Sequence, residues 1–82
     1  MNYRIFDNRI EYIENGEILG EINFEEIKKG IFDINHTFVN EKLRGKGIGK
    51  KLVELAKKEI EKRNGKILAS CSYAKKILES EK

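Results

Sequence analysis

Eighty-two residues support one domain, 1–82, and with no apolar run near the ~18 residues of a membrane span and no apolar signal-peptide core, a cytoplasmic protein without a membrane segment is expected. Hydrophobic residues at 39%, periodically placed, exclude a disordered chain, and the lone Cys71 excludes an internal disulfide and is expected to stay a free thiol. The net charge of +3 conceals a polarity: residues 1–41 hold four Lys/Arg against nine Asp/Glu, and residues 42–82 hold thirteen against five, so two ligands of opposite sign are suggested.

In chain order, residues 3–6 and 9–14 read as short strands joined at Asp7-Asn8, and Asn15-Gly16 is a strong hairpin signal. A third strand follows with Ile18, Gly20, Ile22 and Phe24 on one face. Lys28-Lys29-Gly30 turns the chain into a fourth strand, Ile31 to Val39. Alternation there predicts Phe32, Ile34, His36 and Phe38 on the apolar side, and Asp33, Asn35, Thr37 and Val39 on the other. The period then changes to about 3.6. Ile48, Leu52, Leu55, Ala56 and Ile60 form an apolar helical stripe, Lys50, Lys51, Glu54, Lys57, Lys58 and Glu61 face water, and Asn64-Gly65 supplies a left-handed stop. Ile67-Leu68-Ala69 reads as a strand covered on both faces, and Ala74 to Glu79 as a last helix. The expected architecture is α+β (α/β): a mixed sheet of about five strands, an antiparallel meander followed by a βαβ crossover, and two helices.

Between the fourth strand and its helix stands Arg44-Gly45-Lys46-Gly47-Ile48-Gly49-Lys50. Glycines allow left-handed angles and close backbone approach, and the free amides at a helix start favour an anion. The spacing excludes two familiar phosphate sites. A nucleoside-triphosphate loop needs glycine where Arg44 stands and Ser or Thr where Lys51 stands, and a dinucleotide fingerprint needs its third glycine where Lys50 stands.

The residues fit R-x-x-G-x-G after a strand and before a helix, with His36-Thr37 and Val39 ahead of the turn and Cys71-Ser72-Tyr73 behind the next strand. In these motifs, over most of its length, the chain resembles the GNAT acetyltransferase superfamily and, within it, a small single-domain branch with a cysteine followed by an aromatic. The residue after that cysteine is often proline in the family, and here it is Ser72. The resemblance implies a GNAT-like fold, acetyl-CoA as co-substrate with no metal, and transfer to an amine acceptor.

On that resemblance the amides of Gly45, Lys46, Gly47, Ile48 and Gly49 hold the pyrophosphate, Arg44, Lys46 and Lys50 screen its charge, and Thr37, Phe38 and Val39 pair with the pantetheine arm. The resemblance makes Cys71 the acetyl acceptor or a liner of the thioester pocket, and its place before a helix suits a thiolate. His36 is either a satisfied core histidine or a base, and Tyr73 either packing or the acid for the departing thiolate. The acceptor is an unidentified cationic amine, a protein lysine, an N-terminal amine or a polyamine, drawn by the acidic half that includes Glu17, Glu21, Glu25, Glu26 and Asp33. A monomer is expected. Two alternatives stay open: a basic nucleic-acid-binding module and a CoA-binding domain without catalysis, the first weakened because the aromatics do not interleave with the basic positions.

Overall fold

A computed structural model describes residues 2–80; Met1, Glu81 and Lys82 of the expected 1–82 unit lie outside the described residues. Its elements are β1 (Tyr3–Ile5), β2 (Arg9–Glu14), β3 (Glu17–Lys28), β4 (Ile31–Val39), α1 (Ile48–Lys62), β5 (Lys66–Ala69) and α2 (Ser72–Ser80). The strands lie in sequence order in one sheet. The pairs β1–β2, β2–β3 and β3–β4 are antiparallel, and β5 returns through α1 to lie parallel to β4. The α+β architecture expected from the sequence is therefore the one observed.

Turn chemistry explains the meander. Asn15 and Gly16 take positive φ of 51° and 78° between β2 and β3, and Gly30 takes 79° between β3 and β4, the left-handed conformations tight hairpins need. Asn64, at φ 60°, stops α1. Gly65 follows because a Cβ there would lie 2.6 Å from the Phe32 ring.

Apolar residues of five elements meet on one face of the sheet. Ile10 of β2, Ile22 and Phe24 of β3, Phe32 and Ile34 of β4, Leu52, Val53, Ala56 and Ile60 of α1, and Ala74 of α2 form one buried cluster. Each Ile, Leu or Phe so enclosed contributes roughly 1.5–3 kcal/mol. At the far end of α1, Arg63 ties helix to sheet: it donates to the carbonyls of Asp7 (2.6 Å) and Phe6 (3.3 Å) and pairs with Glu59 at 2.9 Å.

Of three register shifts in the sheet, one of them at Ile27 near the end of β3, two overturn the simple alternation. In β3, Tyr12 opposes Gly20 but Ile13 opposes Ile18, so Leu19 is an extra residue. Leu19 is consequently buried, while Ile18, expected on the core face, is 45% exposed. In β4, Asn23 opposes His36 but Phe24 opposes Ile34, so Asn35 is extra. Beyond it every side chain changes side. Thr37 opposes Ile22 and Val39 opposes Gly20, which puts both on the helix-covered face, whereas His36 and Phe38 emerge on the other face and are exposed. The placement of His36 and Phe38 on the apolar side of β4 is thus corrected.

A second correction concerns β5. It is an edge strand, paired on one side only, and Leu68 is 50% exposed, so the strand is covered on one face and not on both. Its pairing with β4 spans only Ile31–Ile34 against Lys66–Ala69. Beyond Ile34, β4 has no strand on the β5 side, and from His36 to Val39 it keeps its β3 partner. The sheet is split there.

Candidate active site

The split opens beside the start of α1. Asn40 leaves β4 with its amide bonded to the Leu19 carbonyl at 2.7 Å, and its side chain caps a 3₁₀ turn, Glu41–Leu43, by accepting from the Lys42 amide at 3.0 Å. Leu43 is buried and anchors that turn. The chain then passes through Gly45 (φ 82°) and Gly47 (φ 75°), whose missing Cβ atoms would point into open space, so backbone angle alone demands glycine at both. Gly47 is the N-cap of α1, no side chain bonds the first amides, and the first turn holds no acidic residue. Amides left uncapped at a helix start carry a partial positive charge.

A cleft of about 500 Å³ lies over this turn, lined by Thr37, Val39, Asn40, Leu43, Arg44, Gly45, Gly47, Ile48, Gly49 and Tyr73. Gly49 is glycine for a different reason: a Cβ there would overlap the Tyr73 hydroxyl and approach its ring. Tyr73, in the first turn of α2, therefore reaches across to the first turn of α1 and forms one wall.

Cys71 sits between β5 and α2. Its amide donates to the Ile34 carbonyl at 3.1 Å, its carbonyl accepts from Lys75 at 2.9 Å, and its Sγ lies 3.6 Å from Thr37 Oγ1. Burial, the largest single influence, raises the thiol, but hydrogen bonds from the Ala74 amide, the Thr37 hydroxyl and the Tyr73 and Thr37 amides together outweigh it and leave it below its ordinary value.

Of the residues expected at the site, Thr37, Val39, Arg44, Gly45, Gly47, Ile48, Gly49 and Tyr73 meet at the cleft. Cys71 adjoins it through Thr37. Lys46 and Lys50 are exposed cations beside the turn and do not line the cleft, and Phe38 and His36 belong to the opposite sheet face. Asn40 and Leu43 line the cleft without having been singled out in the sequence. An Asn directly before Glu41 was the available capping signal, and Leu43 is the sole apolar residue between Val39 and Ile48. No group of three His, Cys, Asp or Glu that could hold a metal occurs among the described residues.

A strand edge left open, a glycine turn into an uncapped helix and a thiol at the split define a class, and comparison with known proteins gives the same one. The family model described as GCN5-related N-acetyl-transferase matches residues 9–82. A GCN5-like protein from Staphylococcus aureus, solved by NMR, is 34% identical, with a TM-score of 0.78 over 96% of this chain and 78% of that one. The chain belongs to the GCN5-related N-acetyltransferases, enzymes that use acetyl-CoA. Two further solved structures share the fold at lower identity: the ribosomal-protein-S18-alanine N-acetyltransferase of Escherichia coli (19%, TM-score 0.73, 98% of this chain, 52% of that one) and an IAA acetyltransferase of Bacillus cereus (23%, 0.71, 89% and 51%). The chain spans about half the length of these two. No curated protein matches it.

Proposed function

We propose that the protein moves an acetyl group from acetyl-CoA to a primary amine, with the thioester seated in the β4–β5 split. The observation that carries this reading is the uncapped start of α1 behind Gly45 and Gly47, opening on the same cleft as the unpaired edge at Thr37–Val39. The pyrophosphate accepts hydrogen bonds from the amides of Gly45, Gly47, Ile48 and Gly49, the Lys46 amide being taken by the Leu43 carbonyl at 3.1 Å, with Arg44, Lys46 and Lys50 screening its charge. The pantetheine arm pairs with the free edge of Thr37, Phe38 and Val39 as an added strand would. That pairing uses the Phe38 backbone, so the outward turn of its side chain is no obstacle.

Cys71 faces the acetyl carbon on this reading, by one of two routes. In direct transfer the amine nitrogen attacks the thioester carbonyl, the C–S bond breaks, and the CoA thiolate leaves and takes a proton, for which Tyr73 is the donor. In the covalent route the Cys71 thiolate attacks first, CoA leaves, and the amine then cleaves the S-acetyl bond and restores the thiolate. His36, on the open face, is the base that deprotonates an ammonium arriving from that side. The acidic residues of that face, Glu21 and Glu25, draw the cation.

Isothermal titration with acetyl-CoA tests the cofactor assignment, with a short oligonucleotide at two salt concentrations as the competing ligand for so basic a chain. Saturable, weakly salt-dependent binding of acetyl-CoA is expected, and binding of the oligonucleotide alone refutes the reading. Intact-mass spectrometry after incubation with acetyl-CoA separates the two routes. An added acetyl group that is absent from Cys71→Ala supports the covalent one, and its absence together with full activity of Cys71→Ala ends it.

A further inference from the structure

The β4–β5 ladder stops one residue short of the junction that holds the thiol. Ala69 is the last β5 residue in register, opposite Ile34, and the next β4 residue, Asn35, is the bulge. Two ties continue across the gap. One is the backbone bond from Cys71 to the Ile34 carbonyl. The other is a side chain: the Asp33 carboxylate accepts from the Ser70 amide through Oδ1 at 2.8 Å and from the Ser70 hydroxyl through Oδ2 at 2.7 Å. Asp33 belongs to the acidic half expected to draw the amine, yet both its oxygens are engaged with Ser70.

We propose that Asp33 is a positioning residue for the Cys71 sulfur, its carboxylate holding the β5–α2 junction through Ser70 where β4 and β5 part. Ser70 sits between the last paired residue of β5 and Cys71, and a two-point bond to the carboxylate fixes both its backbone and its side chain. With Ser70 fixed, Cys71 keeps its sulfur against Thr37 and beneath the first amides of α2. Without it, the junction hangs on one backbone bond. Asp33 touches neither acetyl-CoA nor amine, and it acts through Ser70.

The effect on turnover rests on the acetyl-transfer reading, but the effect on the thiol does not, so alkylation of Cys71 by iodoacetamide across pH is the primary measurement. Asp33→Ala is expected to move the alkylation midpoint upward, and Asp33→Asn to stay near wild type, because its amide oxygen still accepts from the Ser70 amide and its nitrogen can donate to the hydroxyl. Ser70→Ala, which removes one of the two bonds, should shift the midpoint by a smaller amount. In turnover, Asp33→Ala should lower kcat about tenfold through misplacement of the thiol, with KM for acetyl-CoA unchanged. A wild-type alkylation profile in Asp33→Ala overturns the proposal, as does an Asp33→Asn profile displaced as far as that of Asp33→Ala. If Asp33→Ala lacks the folded circular dichroism spectrum, Ser70→Ala decides, and an unshifted midpoint there overturns it equally. Should the profiles move as expected while the wild-type protein acetylates no amine, the positioning role stands and the acetyl-transfer reading falls.

Discussion

Two strand-to-helix junctions flank the split, and they treat their helix ends in opposite ways. Between β4 and α1 the chain takes eight residues, turns through two left-handed glycines and leaves the first amides of a 15-residue helix without any side-chain cap. Between β5 and α2 it takes two residues, Ser70 and Cys71, each tied to β4, with the Ala74 and Tyr73 amides of the helix directed at the cysteine sulfur. Both junctions present positive helix ends to the same cleft. The first is empty of protein partners and therefore suits a charged ligand from outside, whereas the second is occupied by the protein's own sulfur and lowers the energy of a thiolate. On the proposed reading, one end binds and the other activates.

The largest expected effect falls on the junction between β4 and α1. Gly47→Val forces a β-branched residue to φ 75°, at about 1–2 kcal/mol, and its side chain obstructs the adjoining amides. Acetyl-CoA affinity should fall roughly 100-fold, the equivalent of two charge-assisted hydrogen bonds. Circular dichroism should report the fold intact. Unchanged affinity by titration would mean that the uncapped amides hold nothing.

Gly49→Ala attacks the point where the two junctions touch. Its Cβ would overlap the Tyr73 hydroxyl, so the ring must swing away or the two helices must separate. The melting temperature should drop by the equivalent of about 1–3 kcal/mol, the usual cost of overpacking. Tyr73→Ala in the same chain should recover most of it, and no recovery would place the strain elsewhere.

This point of contact also marks where the sequence stops being legible. Architecture, the turns at Asn15-Gly16 and Gly30, the α1 stripe and the glycine turn all follow from local rules, because each is decided by residues within one turn or one strand pair. The bulge at Asn35 does not. The run Ile31 to Val39 carries an apolar residue on either face beyond Asn35, Phe38 on one and Val39 on the other, so alternation reads equally well with or without an extra residue. His36 was misplaced for that reason. Leu68 failed differently: an apolar triplet reads the same in a covered strand and in a short edge strand with one bare face. The contacts of Asp33 with Ser70 and of Tyr73 with Gly49 join residues far apart in the chain, and no local pattern announces them.

A smaller effect tests the second half of the comparison. The Cys71 thiol should react with iodoacetamide at a pH below that of an unfolded cysteine, and Thr37→Val, which removes the hydroxyl 3.6 Å from the sulfur, should raise the midpoint. The sign carries over to stability. Because the folded thiol ionises below the unfolded one, the unfolded chain binds more protons between those two values, and stability rises with pH across that window. The gain is fully present above the unfolded value and is lost as pH falls through the folded one. Cys71→Ala should remove this slope from the melting temperature against pH, and a slope that survives the substitution would belong to another group.

The smallest effect on the site comes from the far end of α1. Arg63 donates to the Asp7 and Phe6 carbonyls and to Glu59, with its guanidinium 5.5 Å from the Phe24 ring centroid, so Arg63→Ala loosens the helix C-terminus from the β1–β2 turn. About 1–3 kcal/mol of stability should be lost, in line with hydrogen bonds to a charged donor. Acetyl-CoA affinity should be unchanged, because the cleft is built from the other end of the helix and from β4 beyond Asn35. If affinity falls in parallel with stability, α1 transmits strain along its whole length. The two junctions would then be one coupled unit, not two ends with separate tasks.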